Sequence, residues 1–347
     1  VDLDEEPDSV IDHTSWSEVE GWTEAGLPLC CVTYNDPYQR ETLFTGTVGS
    51  VSGQDLVFTV SGGSFDLDTL LVPGATYYIE VNSGDLEGPR FAVAAASGNT
   101  RTPANDTDLH VFAPPFNTLT GAPPATLAGD VVMLRRHTTL AEHFPPSSFG
   151  ATGVPGTADE VQVYANGGAR SYWLYDNGGS PKWVDVTDAT LADQGGVVIP
   201  PGQGVFFYNR TAATTVLQYG EVRHNDFVRP LVSGDNLVGG GFPVDQSASG
   251  AGGRAMLGVC TGTLYFKTAD SFYIWRNDSG GPSVAGYDSH FRVDGNPYNP
   301  SLQRWARVGD SLLTERGNDL LFLQSRAVFV RSQAGFDGYM MPVPWTP

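Results

Sequence analysis

Short apolar runs that alternate with polar positions and end at Gly- or Pro-rich turns cover most of this chain. Apolar residues nowhere keep the period of an amphipathic helix for more than about three turns. The runs are rich in Val, Thr, Tyr and Phe, which favour strands because their side chains pack well on a pleated surface. The pattern therefore predicts an all-β protein with very little helix.

One pattern occurs twice: a tryptophan, a polar link, an apolar run, a short turn and a second apolar run that ends in arginine. The first copy begins at Trp183 and the second at Trp305. The likeness continues upstream, where the aromatic stretch 171–179 aligns with 271–277. Such a recurrence is typical of a duplicated unit. It predicts two similar antiparallel units, a sandwich or double barrel with pseudo-two-fold symmetry.

Turn signals divide the chain into segments. Roughly five to seven short strand patterns precede residue 137, and their spacing fits a small closed barrel. A Pro/Gly/Ser-rich stretch without periodicity follows them and is typical of a linker. The predicted segments are an acidic arm at 1–25, a small β-barrel domain at 26–144, a linker at 145–158 and a duplicated antiparallel β-sandwich or barrel domain at 159–347, with repeats at about 159–210 and 260–331.

The charge of the chain narrows the choice of partners. Its 39 acidic and 19 basic residues give a formal net charge of −20, which repels a phosphate backbone and excludes nucleic acid as a partner. No apolar run approaches the ~20 residues of a membrane-spanning helix, so we expect no transmembrane segment. The chain opens with Val1 and an acidic run, which we interpret as a mature N-terminus left after cleavage of a signal peptide.

Three cysteines are too few for a disulfide-stapled small fold. Cys30 and Cys31 are adjacent in the chain, and the geometry of a disulfide disfavours a bond between neighbours. We expect one of them to pair with Cys260, because an exported protein meets oxidising conditions. Which of the two pairs with Cys260 stays open.

Several strings that suggest catalysis have simpler explanations. Asn277–Pro282 resembles the nucleophile motif of chymotrypsin-like proteases, but its leading glycine is replaced by Asn277 and no matching histidine motif lies upstream, so Ser279 is expected to lie in a turn. The six histidines lack zinc-binding spacing. Pairs of carboxylates are abundant on an acidic surface. We therefore predict no catalytic residue, metal site or cofactor, with calcium at the acidic arm or at Asp66 and Asp68 as the alternative.

Aromatic residues carry the better argument for binding. Strand alternation sends Tyr172 and Leu174, or Phe272 and Ile274, into a core. The residues between and after them face outward and are candidates for stacking on a glycan: Trp173, Tyr175, Tyr273 and Trp275. Three sequons, at Asn105, Asn209 and Asn277, lie in predicted loops or at strand ends, where glycosylation has access.

Three short motifs occur in an order that resembles a known family. They are 77–88 (YYIEVNSGDLEG), 132–140 (VMLRRHTTL) and 199–207 (IPPGQGVFF). In these motifs the chain is similar to an uncharacterised family of exported β-rich proteins known mainly from verrucomicrobial genomes. The resemblance spans roughly residues 29–331 and leaves out the acidic arm. It implies export and a cell-surface or extracellular location, and it implies no activity.

The N-terminal arm suggests how such a protein would assemble. Among its acidic residues stand five apolar ones: Val10, Ile11, Trp16, Val19 and Trp22. Large apolar side chains on a polar arm can fill pockets of a neighbour, and a short apolar strand can add to a sheet edge. We predict a non-enzymatic structural subunit that self-associates into a homo-oligomer or a filament. The alternative is a carbohydrate-binding or adhesion module that uses the exposed aromatic residues.

Overall fold

A computed structural model describes residues 30–52, 55–59, 70–85, 87–93, 108–112, 125–165, 168–211, 216, 219–247, 262, 266–276, 286–296, 299–314, 321–322, 326–334 and 336–341. These residues form strands, turns and a single short α-helix, α1 (Leu140–His143). The all-β prediction is confirmed.

The strands are numbered in chain order. They are β1 (Cys30–Tyr34), β2 (Thr42–Ser52), β3 (Asp55–Thr59), β4 (Tyr77–Val81), β5 (Arg90–Val93), β6 (Asp108–Phe112), β7 (Val131–Arg136), β8 (Thr138–Thr139), β9 (Glu160–Ala165), β10 (Gly168–Tyr175), β11 (Lys182–Asp185), β12 (Val198–Ile199), β13 (Val205–Asn209), β14 (Phe227–Leu231), β15 (Gly234–Gly239), β16 (Gln246–Ser247), β17 (Ser271–Arg276), β18 (Gly286–Asn296), β19 (Asn299–Arg307), β20 (Leu321–Phe322), β21 (Ala327–Ser332) and β22 (Phe336–Met341).

Six strands close into a barrel in the order β2-β3-β6-β5-β4-β7, and each neighbouring pair is antiparallel. Closure gives each strand a partner on both sides and removes sheet edges. Apolar side chains fill the interior, among them Leu56, Ile79, Phe91 and Leu134, each with 0% of its surface exposed. The small N-terminal barrel expected from the sequence is therefore present.

The first of two five-stranded sheets has the order β1-β13-β9-β10-β11. One face of this sheet packs on a core that contains Tyr172, Leu174 and Trp183. Trp183 lies fully buried, and its indole Nε1 donates a hydrogen bond to the carbonyl of Phe144, just after α1, at 2.8 Å. A buried tryptophan normally needs such a partner for its N–H. The helix is therefore fixed to the sheet through the tryptophan that marks the repeat.

The second sheet repeats the order of the first as β15-β21-β17-β18-β19. Matching hydrogen bonds fix the equivalence of the two sheets. Asp159, just before β9, accepts a bond from the amide of Arg210 at 2.7 Å, and Asp270, just before β17, accepts one from Gln333 at 2.7 Å. After the outer strands β11 and β19, Leu191 and Leu313 adopt left-handed conformations, with φ of 54° and 51°. The duplication thus extends to single hydrogen bonds and unusual backbone angles.

The predicted alignment of 171–179 with 271–277 was wrong by one strand. The residues 171–175 belong to β10, whereas 271–276 form β17, and the sheet order makes β17 the counterpart of β9. The counterpart of β10 is β18. The error arose because β10 and β17 carry similar aromatic runs, and composition does not show which position a strand occupies in its sheet.

The described residues form two compact units that interleave along the chain. One unit comprises those up to Gln39, from Thr138 to Val222 and from Val232 to Ala334, and it contains both five-stranded sheets. The other comprises those from Arg40 to His137, from Arg223 to Leu231 and from Phe336 to Met341, and it contains the barrel and the β14–β22 pair. The predicted segments ran consecutively, so they lack this return of the chain to the barrel unit.

Candidate functional site

A cluster of aromatic side chains lies on the two five-stranded sheets of one unit. On β13, Val205 and Phe207 face the core, so strand alternation turns Phe206 and Tyr208 to the opposite face. Aromatic residues of the second sheet join them. We call this surface the aromatic ledge, and it consists of Tyr164, Phe206 and Tyr208 from the first sheet and Tyr273, Tyr287 and Phe329 from the second.

The six rings form a connected series. The Phe206 ring centroid lies 5.3 Å from that of Tyr208 and 6.3 Å from that of Phe329. Phe329 in turn contacts Tyr164 at 4.9 Å and Tyr287 at 5.7 Å, both edge to face. Tyr287 lies 6.2 Å from Tyr273. These are the distances and tilts that aromatic pairs prefer, so the rings hold one another in place.

The ledge has a buried floor and a more accessible rim. Phe206 and Phe329 are only 3% and 7% exposed, whereas Tyr287 is 44% exposed. Tyr164, Tyr208 and Tyr273 are half-buried. A surface of this kind offers ring faces and hydroxyl groups to a ligand without exposing the phenylalanines beneath.

Paired charges stand at both ends of the ledge. At one end the Arg210 guanidinium lies 5.1 Å from the Tyr208 ring centroid and 2.8 Å from a carboxylate oxygen of Glu160. At the other end Arg331 lies 5.5 Å from the Tyr273 ring and donates two hydrogen bonds of 2.8 Å to Asp235. These hydrogen bonds from the guanidinium to Asp235 raise the pKa of Arg331 above its usual value, so the guanidinium stays charged. The charges at each end cancel.

The predicted stacking residues have different surroundings. Trp173 does leave the core face, but it is only 3% exposed because Ala158, Val184 and Leu191 pack around it. The prediction that Trp173 offers its ring to a ligand is therefore wrong. The ring is covered because the turn that contains the left-handed Leu191 places this side chain on the same face of the sheet. Tyr175 is half-buried, with Lys182 over its ring at 5.8 Å.

Of the second predicted pair, Tyr273 belongs to the ledge, and the side chain of Trp275 lies outside the described residues. Five ledge residues were not predicted from the sequence: Tyr164, Phe206, Tyr208, Tyr287 and Phe329. A signal was present in β13, whose run Val205–Asn209 is apolar on both faces, as expected of a strand that is covered on one side and contacts something on the other.

The other predicted residues fall into two groups. Asn209 has no exposed surface, so the expectation that its sequon is accessible is wrong; it lies on β13, opposite Cys30 of β1. The remaining predictions concern the arm residues Val10, Ile11, Trp16, Val19 and Trp22, the side chains of Cys30 and Cys31, and Cys260, Asn105, Asn277, Ser279, Asp66 and Asp68, all outside the described residues. They stay predictions.

No metal-binding group of three or more His, Cys, Asp or Glu side chains occurs among the residues that the structure describes. Asp185 and Asp188, an apparent carboxylate pair in the sequence, each cap a turn instead. Asp185 accepts a bond from the amide of Thr187, and Asp188 accepts one from that of Thr190, both at 2.8 Å. These carboxylates have structural partners within their own loop.

The barrel unit holds a buried group of charges. Glu80 of β4 forms ion pairs with Arg223 and Arg135, and all three side chains are at most 4% exposed. Arg223 comes from the segment before β14, and burial lowers its pKa to about 10, so it stays charged at neutral pH. Asn225 of the same segment donates a hydrogen bond to the carbonyl of Val81 at 3.1 Å. These contacts fasten a sequence-distant segment to the barrel.

His137 follows the barrel strand β7 and lies buried against Tyr78, with their ring centroids 4.8 Å apart. Burial, and the nearby positive charge of Arg90, lower the pKa of His137 to about 3. The histidine is therefore neutral at physiological pH. His143 has other neighbours, since its Nδ1 lies 3.3 Å from Asp36 and its ring meets that of Tyr34.

Comparisons of the chain with protein-family models, with curated proteins and with solved structures gave no match. Among the described residues no helix is long and apolar enough to cross a membrane.

Proposed function

We propose that the chain is a non-enzymatic structural subunit of a secreted, cell-surface or extracellular assembly. Its copies associate with one another through the N-terminal arm, residues 1–25. The proposal combines the apolar residues of that arm with the place where the arm joins the fold.

The supporting observation comes from the duplication. β1 and β15 hold the same position, each at the edge of its sheet next to β13 or β21. Directly before β15 runs β14, which pairs with β22 as an antiparallel ribbon. Directly before β1 runs the N-terminal segment, whose residues 23–27 hold the place in the chain that β14 holds before β15, so the end of the arm stands where the second repeat has a pairing strand.

From this position in the chain we infer that the arm, too, pairs with another segment. Val10 and Ile11 would add as a short strand to an open sheet edge, and Trp16 and Trp22 would fill pockets beside it. When the receiving surface belongs to the next molecule, the contact is head-to-tail, and contacts of that type propagate into a filament unless the rotation closes a ring. The competing arrangement folds the arm back on its own subunit.

Export also favours a disulfide in this proposal. A bond from Cys260 to Cys30 or Cys31 would attach β1, and with it the base of the arm, to the second repeat. An edge strand held covalently would transmit the pull of a neighbouring subunit to the rest of the fold.

Negative-stain images of the purified full-length chain test the proposal. We expect fibres, rings or lattices with a repeat close to the size of one molecule. Images that show only separate monomers at every protein concentration would contradict it.

A further inference from the structure

We propose that the aromatic ledge binds an uncharged polysaccharide. This site goes beyond the proposed assembly and does not rest on it, because every ledge residue belongs to the duplicated sheets and none to the arm.

The ring faces of the ledge match the apolar faces of a sugar. The C–H faces of a pyranose are apolar and pack on aromatic rings, while its hydroxyl groups need polar partners at the edge of the contact. Tyr287 is 44% exposed at the rim, and the edge-to-face contact with Phe329 fixes its orientation. A ring that is both accessible and held in place loses little conformational entropy when a ligand stacks on it.

The two ion pairs of the ledge leave it without net charge. The chain as a whole carries −20, yet the charges beside the ledge are balanced by the pairs Glu160–Arg210 and Asp235–Arg331. A cationic polymer would find no excess of negative charge here, and the chain's overall field repels a polyanion. The ledge therefore complements a ligand without charge.

Hydrogen-bonding groups stand at the edges of the ledge. The carboxylates of the two ion pairs can accept hydrogen bonds from the hydroxyl groups of a sugar, and the guanidinium N–H groups can donate hydrogen bonds to those hydroxyl groups. At the Arg210 end stands Gln162, whose Oε1 accepts a hydrogen bond from the Tyr208 hydroxyl at 3.4 Å, so an amide lies beside the rings. Few polar groups around an apolar floor is the usual composition of a site that recognises a small or extended neutral ligand.

Both repeats build this surface. Tyr164 of the first sheet contacts Phe329 of the second at a centroid distance of 4.9 Å, so neither repeat forms the ledge alone. The binding of a polysaccharide is then a property that the duplication created, not one that each repeat carries.

Affinity electrophoresis tests the site. The full-length chain is run in native gels that contain barley β-glucan, xylan or galactomannan, and in parallel gels that contain polygalacturonate or hyaluronan. We expect at least one uncharged polysaccharide to retard the protein and the two polyanions to leave it unaffected. Tyr287→Ala should weaken the retardation at least about fivefold, as the loss of one stacked ring predicts.

The matched control is Tyr219→Ala, because Tyr219 is 77% exposed and lies outside the ledge. This variant should bind as the unchanged protein does, and Tyr287→Phe should keep most of the binding because it retains the ring. Retardation by none of the uncharged polysaccharides, or equal retardation of Tyr287→Ala and Tyr219→Ala, would overturn the proposal. A chain that lacks residues 1–25 should still bind, whatever its assembly, and this separates the two proposals.

Discussion

Single residues in this protein differ most in how deeply their charges are buried. Glu80 and Arg223 form an ion pair inside the barrel unit, each with 1% of its side chain exposed. Asp235 and Arg331 form a comparable pair with 40% and 48% exposed. Burial removes water from the first pair, so each of its members depends on the other, whereas water still solvates the second.

Glu80→Gln should therefore lower the free energy of unfolding by about 3–5 kcal/mol, because it leaves Arg223 and Arg135 buried without their carboxylate. Asp235→Asn is the exposed control and should cost about 0–1 kcal/mol. Urea denaturation followed by circular dichroism measures both. Equal small losses for the two variants would show that Glu80 does not hold the buried arginines.

The buried histidine makes stability depend on pH. The folded state keeps His137 neutral down to its pKa of about 3, whereas in the unfolded chain this histidine binds a proton near its ordinary pKa of 6.5. Between pH 3 and pH 6.5 the unfolded state therefore holds more protons than the folded state. The contribution of His137 to the free energy of unfolding falls as the pH drops through this range, by about 1.4 kcal/mol per pH unit. Asp159 acts in the opposite direction. Burial raises its pKa above 3.8, so just above that pH its contribution to the free energy of unfolding increases as the pH drops.

His137→Phe should flatten the profile. We expect the difference in unfolding free energy between about pH 7 and about pH 4.5 to be smaller in this variant than in the unchanged chain, since the variant has no proton to take up on unfolding. Urea midpoints at the two pH values give the comparison. If the unfolding free energy changed by the same amount between the two pH values in both proteins, His137 would be protonated in the folded state at about pH 4.5.

Among the elements, the two sheets come close together where β13 begins. A Cβ at Gly204 would lie 2.4 Å from the Cβ of Ala327 and 2.8 Å from Cγ of Leu237, so this position accepts only glycine. The amide of Gly204 also donates a bond to the carbonyl of Leu237 at 3.1 Å. This close backbone approach joins the sheets beside the aromatic ledge.

Gly204→Ala should destabilise the chain by about 1–3 kcal/mol, because the added methyl group forces the backbones apart. Gly179→Ala is the control, since a Cβ there meets nothing within 4 Å. Thermal unfolding should show a lower midpoint for the first variant and a nearly unchanged one for the second. A normal midpoint for Gly204→Ala would show that the sheets separate at little cost.

The sequence predicts those features of the strands that depend on nearby residues, and it does not predict those that depend on pairing between distant segments. Alternation and turn residues predicted the all-β class, and the recurring Trp183 and Trp305 located the repeat, because these signals are local. The place of β10 in its sheet depends on distant pairing, so the alignment with β17 misled. Trp173 was misjudged for a related reason: alternation tells which face a residue points to, not whether a loop such as the one carrying Leu191 covers that face.

Most residues of the ledge could not be predicted from the sequence, because the ledge also depends on contacts between distant segments. Its six residues come from β9, β13, β17, β18 and β21, and only their meeting in space makes them a surface. Tyr273 was found because it stands in an aromatic run. Phe206 and Phe329 looked like ordinary core residues.

For the whole molecule, the fold predicts a strand-dominated far-ultraviolet circular dichroism spectrum. We expect helix below roughly 15%, against about a third in an average globular protein. The reason is that α1 spans only four of the described residues. A strong helical minimum in the spectrum of the full-length chain would contradict this prediction.

Deleting residues 1–25 tests the proposed assembly most directly. Every described strand lies after residue 25, so the truncated chain retains them all and should keep the circular dichroism spectrum of the full-length protein. Static light scattering at matched concentrations then gives the mass of each. Our account predicts polymers for the full-length chain and folded monomers for the truncated one. Folded truncated chains that scatter as strongly as the full-length protein would contradict it.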